Sequence, residues 1–277
     1  MLKQRVITGL ILILLVVAGI RFLPDELFGL FALVFIVGLG AWEWAGLTGC
    51  YRPEKRMMGA LMILLATLPL IFFQLPVVSL LWISIPIWLA ILVGLFWYPR
   101  NAGFYKRHAL PMRILGIFVL IPAWYALFKL HGIQDLPRPG YWYVFYLIAV
   151  TSLADTAAYF TGRKFGKHKL APHLSPGKTL EGLAGAIVVT SLWAVSSAWW
   201  LGLPTDKWLV FVVLSMLVVL MSVAGDLFES LLKREAGVKD SGTLLPGHGG
   251  VLDRIDSMLS AAPIFTLGLI WLMRATS

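Results

Sequence analysis

The chain is 277 residues long, 59% hydrophobic and only 13% charged, with a mean hydropathy of +0.85. A soluble domain carries roughly 45–50% apolar and about 25% charged residues, so this composition excludes a purely soluble fold and makes lipid the solvent for most of the chain. The net charge of +9, from 23 Lys+Arg against 14 Asp+Glu, is accounted for by positive-inside bias and attraction to anionic headgroups; no nucleic-acid partner is expected. The single cysteine, Cys50, excludes an internal disulfide and a multi-cysteine metal site.

A helical crossing needs about 20 mostly apolar residues. In chain order the candidates lie near 6–23, 27–44, 58–75, 77–97, 110–130, 141–160, 183–203, 207–228 and 258–274, nine in all. The first follows Lys3 and Arg5 and has no small-x-small cleavage site after it, so it reads as a retained span rather than a signal peptide. Between the third and fourth only Gln74-Leu75-Pro76 intervenes; a merged run would be too long for one crossing, which implies a tight turn. With the N-terminus in the cytoplasm, 18 of the 23 Lys+Arg fall on that side, against Arg21, Lys129, Arg138, Lys207 and Arg274 on the other. That asymmetry supports both the count and the orientation. The expected fold is an all-α integral membrane protein of about nine transmembrane helices, with the C-terminus opposite the N-terminus. Trp and Tyr at span ends, such as Trp42, Trp97, Tyr141 and Trp199, fit an interfacial belt.

The two parts of the chain differ in polarity. Residues 1–140, about five spans, read as scaffold. Residues 141–277, about four spans, read as a catalytic region with cytoplasmic loops 161–182 and 229–257. Glu43, inside the second span between Trp42 and Trp44, is either paired or functional, and no motif decides which. His108, His131 and His173 have no metal-ligand spacing and read as interfacial.

Near the end of the sixth span, Asp155 and Tyr159 stand one helical turn apart, followed by the basic run Arg163–Lys169, which includes Lys167. Ser175 before Pro176 looks like a helix N-cap with proline at the first helical position, and a helix N-terminus beside Lys178 suits phosphate. Gly177-Lys178-Thr179 resembles the end of a P-loop, but that motif needs glycine where residue 172 is Pro.

The richest stretch runs from Gly225 to Ser257. Asp226, Glu229, Ser230 and Lys233 share a helix face by spacing. Pro246-Gly247-His248-Gly249-Gly250 reads as a turn whose N–H groups can approach an anion. Asp253 and Asp256, three apart, open the last span. Three aspartates near a glycine-rich turn and Lys/Arg suit a hard cation carrying phosphate, and magnesium prefers such oxygen ligands. The plainer alternative is a set of interfacial salt bridges, such as Asp253 or Asp256 with Arg254 or Lys233.

These residues closely resemble the signature of the phosphatidate cytidylyltransferase, or CDP-diacylglycerol synthase, family. The elements are Ser230, Lys233-Arg234, Lys239-Asp240, Pro246, His248-Gly249-Gly250 and Asp253-Arg254-Ile255-Asp256, about ten fixed residues over 27 positions. Upstream, Asp-Thr-x-Ala-Tyr from Asp155, the Gly162–Lys167 element and Ser-Pro-x-Lys-Thr-x-Glu-Gly from Ser175 also resemble the family. The match covers roughly 152–257; the first five spans contribute compatible hydropathy alone. The resemblance implies transfer of CMP from CTP to phosphatidate, with Mg2+ and room for a second cation. It implies Asp226 and Asp253 as metal ligands, Asp256 in support, and a catalytic set completed by Lys233, Arg234 and His248. Substrate contacts are expected from Asp155, Tyr159, Lys167, Ser175, Lys178, Thr179, Ser230, Lys239, Asp240, Gly249, Gly250 and Arg254. The implied setting is the bacterial inner membrane, with the site facing the cytoplasm and a homodimer left open. Rival readings are a related CTP-dependent polyprenol or ether-lipid enzyme and a cation-coupled transporter using Asp155 and Asp226. A CDP-alcohol phosphotransferase is excluded by the lack of an Asp-Gly-x-x-Ala-Arg motif.

Overall fold

A computed structural model of the chain describes residues 2–73, 76–98, 100 and 102–274. In chain order the helices are α1 (Leu2–Phe22), α2 (Asp25–Ala32), α3 (Gly40–Leu47), α4 (Pro53–Leu65), α5 (Leu68–Phe72), α6 (Val77–Phe96), α7 (Phe104–Arg107), α8 (Ala109–His131), α9 (Gly140–Phe165), α10 (Leu180–Leu201), α11 (Trp208–Ala236) and α12 (Leu252–Arg274). As far as the described residues reach, the expected spans fall on these helices. Among the described residues eight helical stretches are long and apolar enough to cross a membrane, and the apolar part of α1, Val6–Phe22, precedes them. The expected turn at Gln74-Leu75 lies outside the described residues.

The second span is not uniformly α-helical. A π-helical stretch, Leu33–Leu39, joins α2 to α3, and nearly all of α3 is buried, including Glu43. Single-turn π segments inside helices often accompany functional sites.

Close helix contacts rest on small residues, as expected where lipid offers no hydrophobic drive to association. On α10 a Cβ at Gly182 would lie 2.8 Å from the Ala158 carbonyl oxygen, and one at Gly185 would strike Thr161, so α9 and α10 touch almost backbone to backbone. On α11 a Cβ at Gly225 would strike the Asp256 carbonyl oxygen and lie 2.6 Å from Ser260 Oγ. Ser260 Oγ in turn donates to the Met221 carbonyl at 2.6 Å, which locks α11 against α12.

Two boundaries differ from the sequence reading. First, Ser175 does not cap a helix. It begins strand β2 (Ser175–Thr179), which pairs antiparallel with β1 (Lys169–Ala171). The helix starts at Leu180, where Thr179 Oγ1 accepts the Gly182 N–H at 3.1 Å as the true N-cap. Pro176, lacking a donor, is tolerated in a two-stranded hairpin that has only edges. Second, α11 runs to Ala236 and α12 starts at Leu252, so the expected loop 229–257 shrinks to 237–251. Ser230, Lys233 and Arg234 thus stand on α11, and Asp253, Arg254 and Asp256 on the first turns of α12.

The α9–α10 contact yields a stability prediction. Gly185→Val should overpack it by about 1–3 kcal/mol and lower the thermal midpoint in detergent. Leu192→Ala, at a position 69% exposed on the same helix, should leave that midpoint nearly unchanged.

Candidate active site

Because Gly225 brings the backbones of α11 and α12 together beside Asp256, the polar face of α11 meets the first turns of α12. Hairpin strand β2 adds Lys178, whose Nζ lies 2.6 Å from Asp226 Oδ2. Ser230 Oγ donates to the other oxygen, Asp226 Oδ1, at 3.3 Å. One turn on, Lys233 Nζ bridges two carboxylates, donating to Glu229 Oε2 at 2.6 Å and to Asp253 Oδ1 at 2.8 Å. Asp256 Oδ1 accepts the Ser257 N–H at 2.7 Å. Asp155, Asp226 and Asp256 lie within electrostatic reach of one another. Residues far apart in sequence, from β2, α9, α11 and α12, therefore form one acid–base cluster. The salt-bridge alternative raised by the sequence holds for Lys233 and Asp253, within a larger network.

The loop from Gly237 to Val251 closes over this cluster by binding carboxylates. Asp253 Oδ2 accepts the Ser241 N–H at 2.9 Å, the Ser241 hydroxyl at 3.0 Å and the Gly250 N–H at 2.8 Å. Leu245 and Gly249 pair across a turn in which Leu245 N–H donates to the Gly249 carbonyl and His248 N–H to the Leu245 carbonyl. Gly247 and Gly249 hold φ of 77° and 82°, left-handed conformations that favour glycine. The expected anion cradle is thus partly spent within the protein. The His248 amide serves the turn and the Gly250 amide serves Asp253, so neither N–H is left for a substrate oxygen.

The remaining sequence candidates divide by position. Thr179 is buried and caps α10, while Ser175 is half-buried in the hairpin. Asp155, within the cluster, and Tyr159, Lys167, Arg234, Lys239, Asp240 and Arg254 are exposed; Arg163 Nη1 donates to Tyr159 Oη at 3.2 Å. The Lys167 and His168 amides and the His168 ring converge on Glu181, which shapes the basic turn between α9 and β1. The His248 ring approaches α1, where a Cβ at Gly9 would lie 3.5 Å from it. Sequence reasoning left Glu229, Ser241 and Glu43 without roles. Glu43 Oε1 accepts the Val251 N–H at 3.0 Å, and Oε2 accepts the Leu252 N–H at 2.8 Å and the Ser241 hydroxyl at 3.0 Å. The one signal that singles it out is a carboxylate within an apolar span, which is costly unless partnered.

The donor chemistry suits a hard cation. Among the described residues no three His, Cys, Asp or Glu side chains form a ready-made metal cage. Magnesium, however, is commonly held by one or two carboxylates together with substrate phosphates and water. Glu229 Oε1 and His248 Nδ1 are among the buried atoms that have no hydrogen-bond partner among the described residues. An unpartnered buried carboxylate oxygen beside further carboxylates is a place a cation would stabilise.

The buried ion pairs make unequal demands. Removing the cation between the nearly buried Glu229 and Asp253 side chains, 5% and 6% exposed, by Lys233→Met should cost on the order of 3 kcal/mol. The Lys178–Asp226 pair is 21% and 27% exposed, so Lys178→Met should cost clearly less. Thermal unfolding of both variants in one detergent checks the order, and equal losses would contradict it.

The profile of the Cytidylyltransferase family matches residues 3–271. A phosphatidate cytidylyltransferase from Pseudomonas aeruginosa is 37% identical over 276 residues, covering 98% of this chain and 97% of that one. Another from Haemophilus influenzae is 35% identical over 283 residues, 96% and 98% of the two chains. A Bacillus subtilis protein of the same name is 44% identical over 134 residues, about half of each chain. With a match that runs through the spans as well as the cluster, the chain belongs to the cytidylyltransferase family.

Proposed function

We propose that this chain is a phosphatidate cytidylyltransferase that transfers CMP from CTP to phosphatidate and releases pyrophosphate. One observation carries the reading: the paired Lys178–Asp226 and Lys233–Asp253 groups stand together where apolar helices end. A lipid phosphate at headgroup level and a nucleotide from the aqueous side can meet only there. A site on the cytoplasmic side of the bacterial inner membrane is part of this reading, supported by the Lys+Arg asymmetry and by the supply of CTP.

The chemistry asks little of the protein in proton transfer. A phosphate monoester has its second pKa near 6, so the lipid phosphate is already a nucleophile at neutral pH. Its oxygen attacks the α-phosphorus as the bond from that phosphorus to the bridging oxygen breaks, and the electron pair leaves with pyrophosphate. The protein's share is alignment and charge neutralisation. Asp226 and Asp253, with Asp256 in support, would hold Mg2+. When bound, the ion neutralises charge on the phosphates of CTP and on the departing pyrophosphate. Lys178 and Lys233, which now balance those carboxylates, are placed to meet phosphate oxygens. The exposed Arg234, Lys239 and Arg254 supply positive charge at the rim.

Purified protein in phosphatidate vesicles, given labelled CTP and Mg2+, should form labelled CDP-diacylglycerol; no product would overturn the proposal. A polyprenol acceptor used in preference would favour the related-enzyme reading instead. Asp253→Asn should insert and fold yet lose at least about 10²-fold in kcat, since a group acting mainly in the transition state is read in turnover. Near-normal turnover would remove Asp253 from the reacting centre.

A further inference from the structure

Glu43 stands on α3, in the part of the chain that its sequence marks as scaffold, and is 1% exposed. Both its oxygens are engaged, and among the described residues every donor belongs to one short stretch: Ser241 Oγ and the Val251 and Leu252 N–H groups. Leu252 is the first residue of α12, and the opening amides of a helix have no intrahelical acceptor. Buried at a lipid-enclosed site they require one, and a carboxylate there is also favoured by the helix dipole. The fit is close on the loop side as well. A Cβ at Gly242 would strike Glu43 Oε1, and one at Gly250 would lie 2.5–2.6 Å from the two Glu43 oxygens. From the opposite side the same loop is gripped by Asp253 through Ser241 and Gly250. Ser241 has one hydroxyl proton and stands 3.0 Å from both carboxylates, so it couples them directly.

We propose that Glu43 is a positioning residue for the reaction: it clamps the Ser241–Leu252 loop and thereby fixes the Asp253 carboxylate against Lys233. The catalytic consequence rests on the proposed cytidylyl transfer; the clamp itself does not. Glu43 touches no reacting atom in this scheme and acts only through the loop and Asp253. Its glycine neighbours are part of the same device, because Gly242 and Gly250 are the residues that let the loop backbone reach the carboxylate.

Glu43→Gln keeps the shape but turns one acceptor into a donor facing N–H groups. Hydrogen exchange of the protein in detergent should show the Ser241, Val251 and Leu252 amides exchanging at least about tenfold faster, with the middles of α8 and α12 still protected. In the CTP–phosphatidate assay kcat should fall about 10²-fold, the scale set by a misplacement of about 1 Å, with KM for CTP within about threefold. Ser241→Ala, which cuts the link to Asp253 and spares the α12 amides, should lower kcat in the same direction. The double variant should lose less than the product of the two single losses. Unchanged loop exchange with wild-type kcat in Glu43→Gln overturns the proposal. So does a uniform loss of protection with normal kcat per folded molecule, which is the mark of a merely structural residue. If Glu43→Gln does not insert, a wild-type kcat in Ser241→Ala overturns it. An inactive wild-type protein would count against the proposed function, while the exchange result would still decide whether Glu43 clamps the loop.

Discussion

Two carboxylates, Glu43 and Asp253, face each other across Ser241 at the end of a bundle whose surroundings are hydrocarbon. Charges in such a place are tolerated only when their oxygens are filled by donors or cations. Asp253 receives two amides and the Lys233 ammonium, Glu43 receives two amides, and the single Ser241 hydroxyl proton is shared between them, donated to one or the other. Satisfying both at once dictates the course of the loop between α11 and α12. It also dictates where side chains are forbidden, at Gly242 and Gly250. Lys233 extends the arrangement to Glu229, and the α11–α12 contact at Gly225 holds the two helices in the register that lets it do so.

This dependence explains the distribution of small and polar residues better than a general preference for flexible loops. Gly249 needs its left-handed backbone, and a Cβ there would press within 2.8 Å of Asp253 Oδ2. Gly250 needs no unusual backbone; it is small because a carboxylate occupies the space a side chain would fill. The His248 amide, which sequence reasoning offered to a phosphate, is consumed by the turn that presents the ring. In the proposed reaction, substrate recognition by backbone amides would therefore be narrower than the glycine-rich sequence implies, and more of it would fall to side chains such as Lys178 and Lys233.

The spans were legible because hydropathy over about 20 residues depends only on local composition. The motif from Ser230 to Asp256 was legible because spacings of three and four on a helix place residues together whatever the tertiary fold. Ser175 misled for a related reason: serine before proline is a good helix start locally, but the hairpin pairing of Lys169 with Thr179 competes for that segment, and Thr179 takes the cap. Glu43 lay beyond local reasoning altogether. Its partners are 198, 208 and 209 residues away in sequence, and no periodicity relates α3 to the start of α12. Only the cost of a carboxylate within an apolar span pointed to it, and that cost tells that a partner exists without telling which.

The charge balance at the cluster bears on how a polyanionic nucleotide could be accepted there. Asp155, Asp226, Glu229, Asp253 and Asp256 outnumber Lys178 and Lys233, and both lysines are already ion-paired with carboxylates. A triphosphate brought to these groups alone would meet net negative charge. Acceptance then requires added positive charge at the carboxylates, with basic groups at the rim to draw the nucleotide in. A divalent cation on the aspartates would meet the first need and would release Lys178 from Asp226 and Lys233 from Asp253. The exposed Arg234, Lys239 and Arg254 would meet the second. Ion pairs that hold the helices together without substrate and charges that engage phosphate with it would then be the same side chains. Their burial at the lipid boundary, where each charge must always have a partner, favours exchange of one partner for another over the opening of an empty pocket.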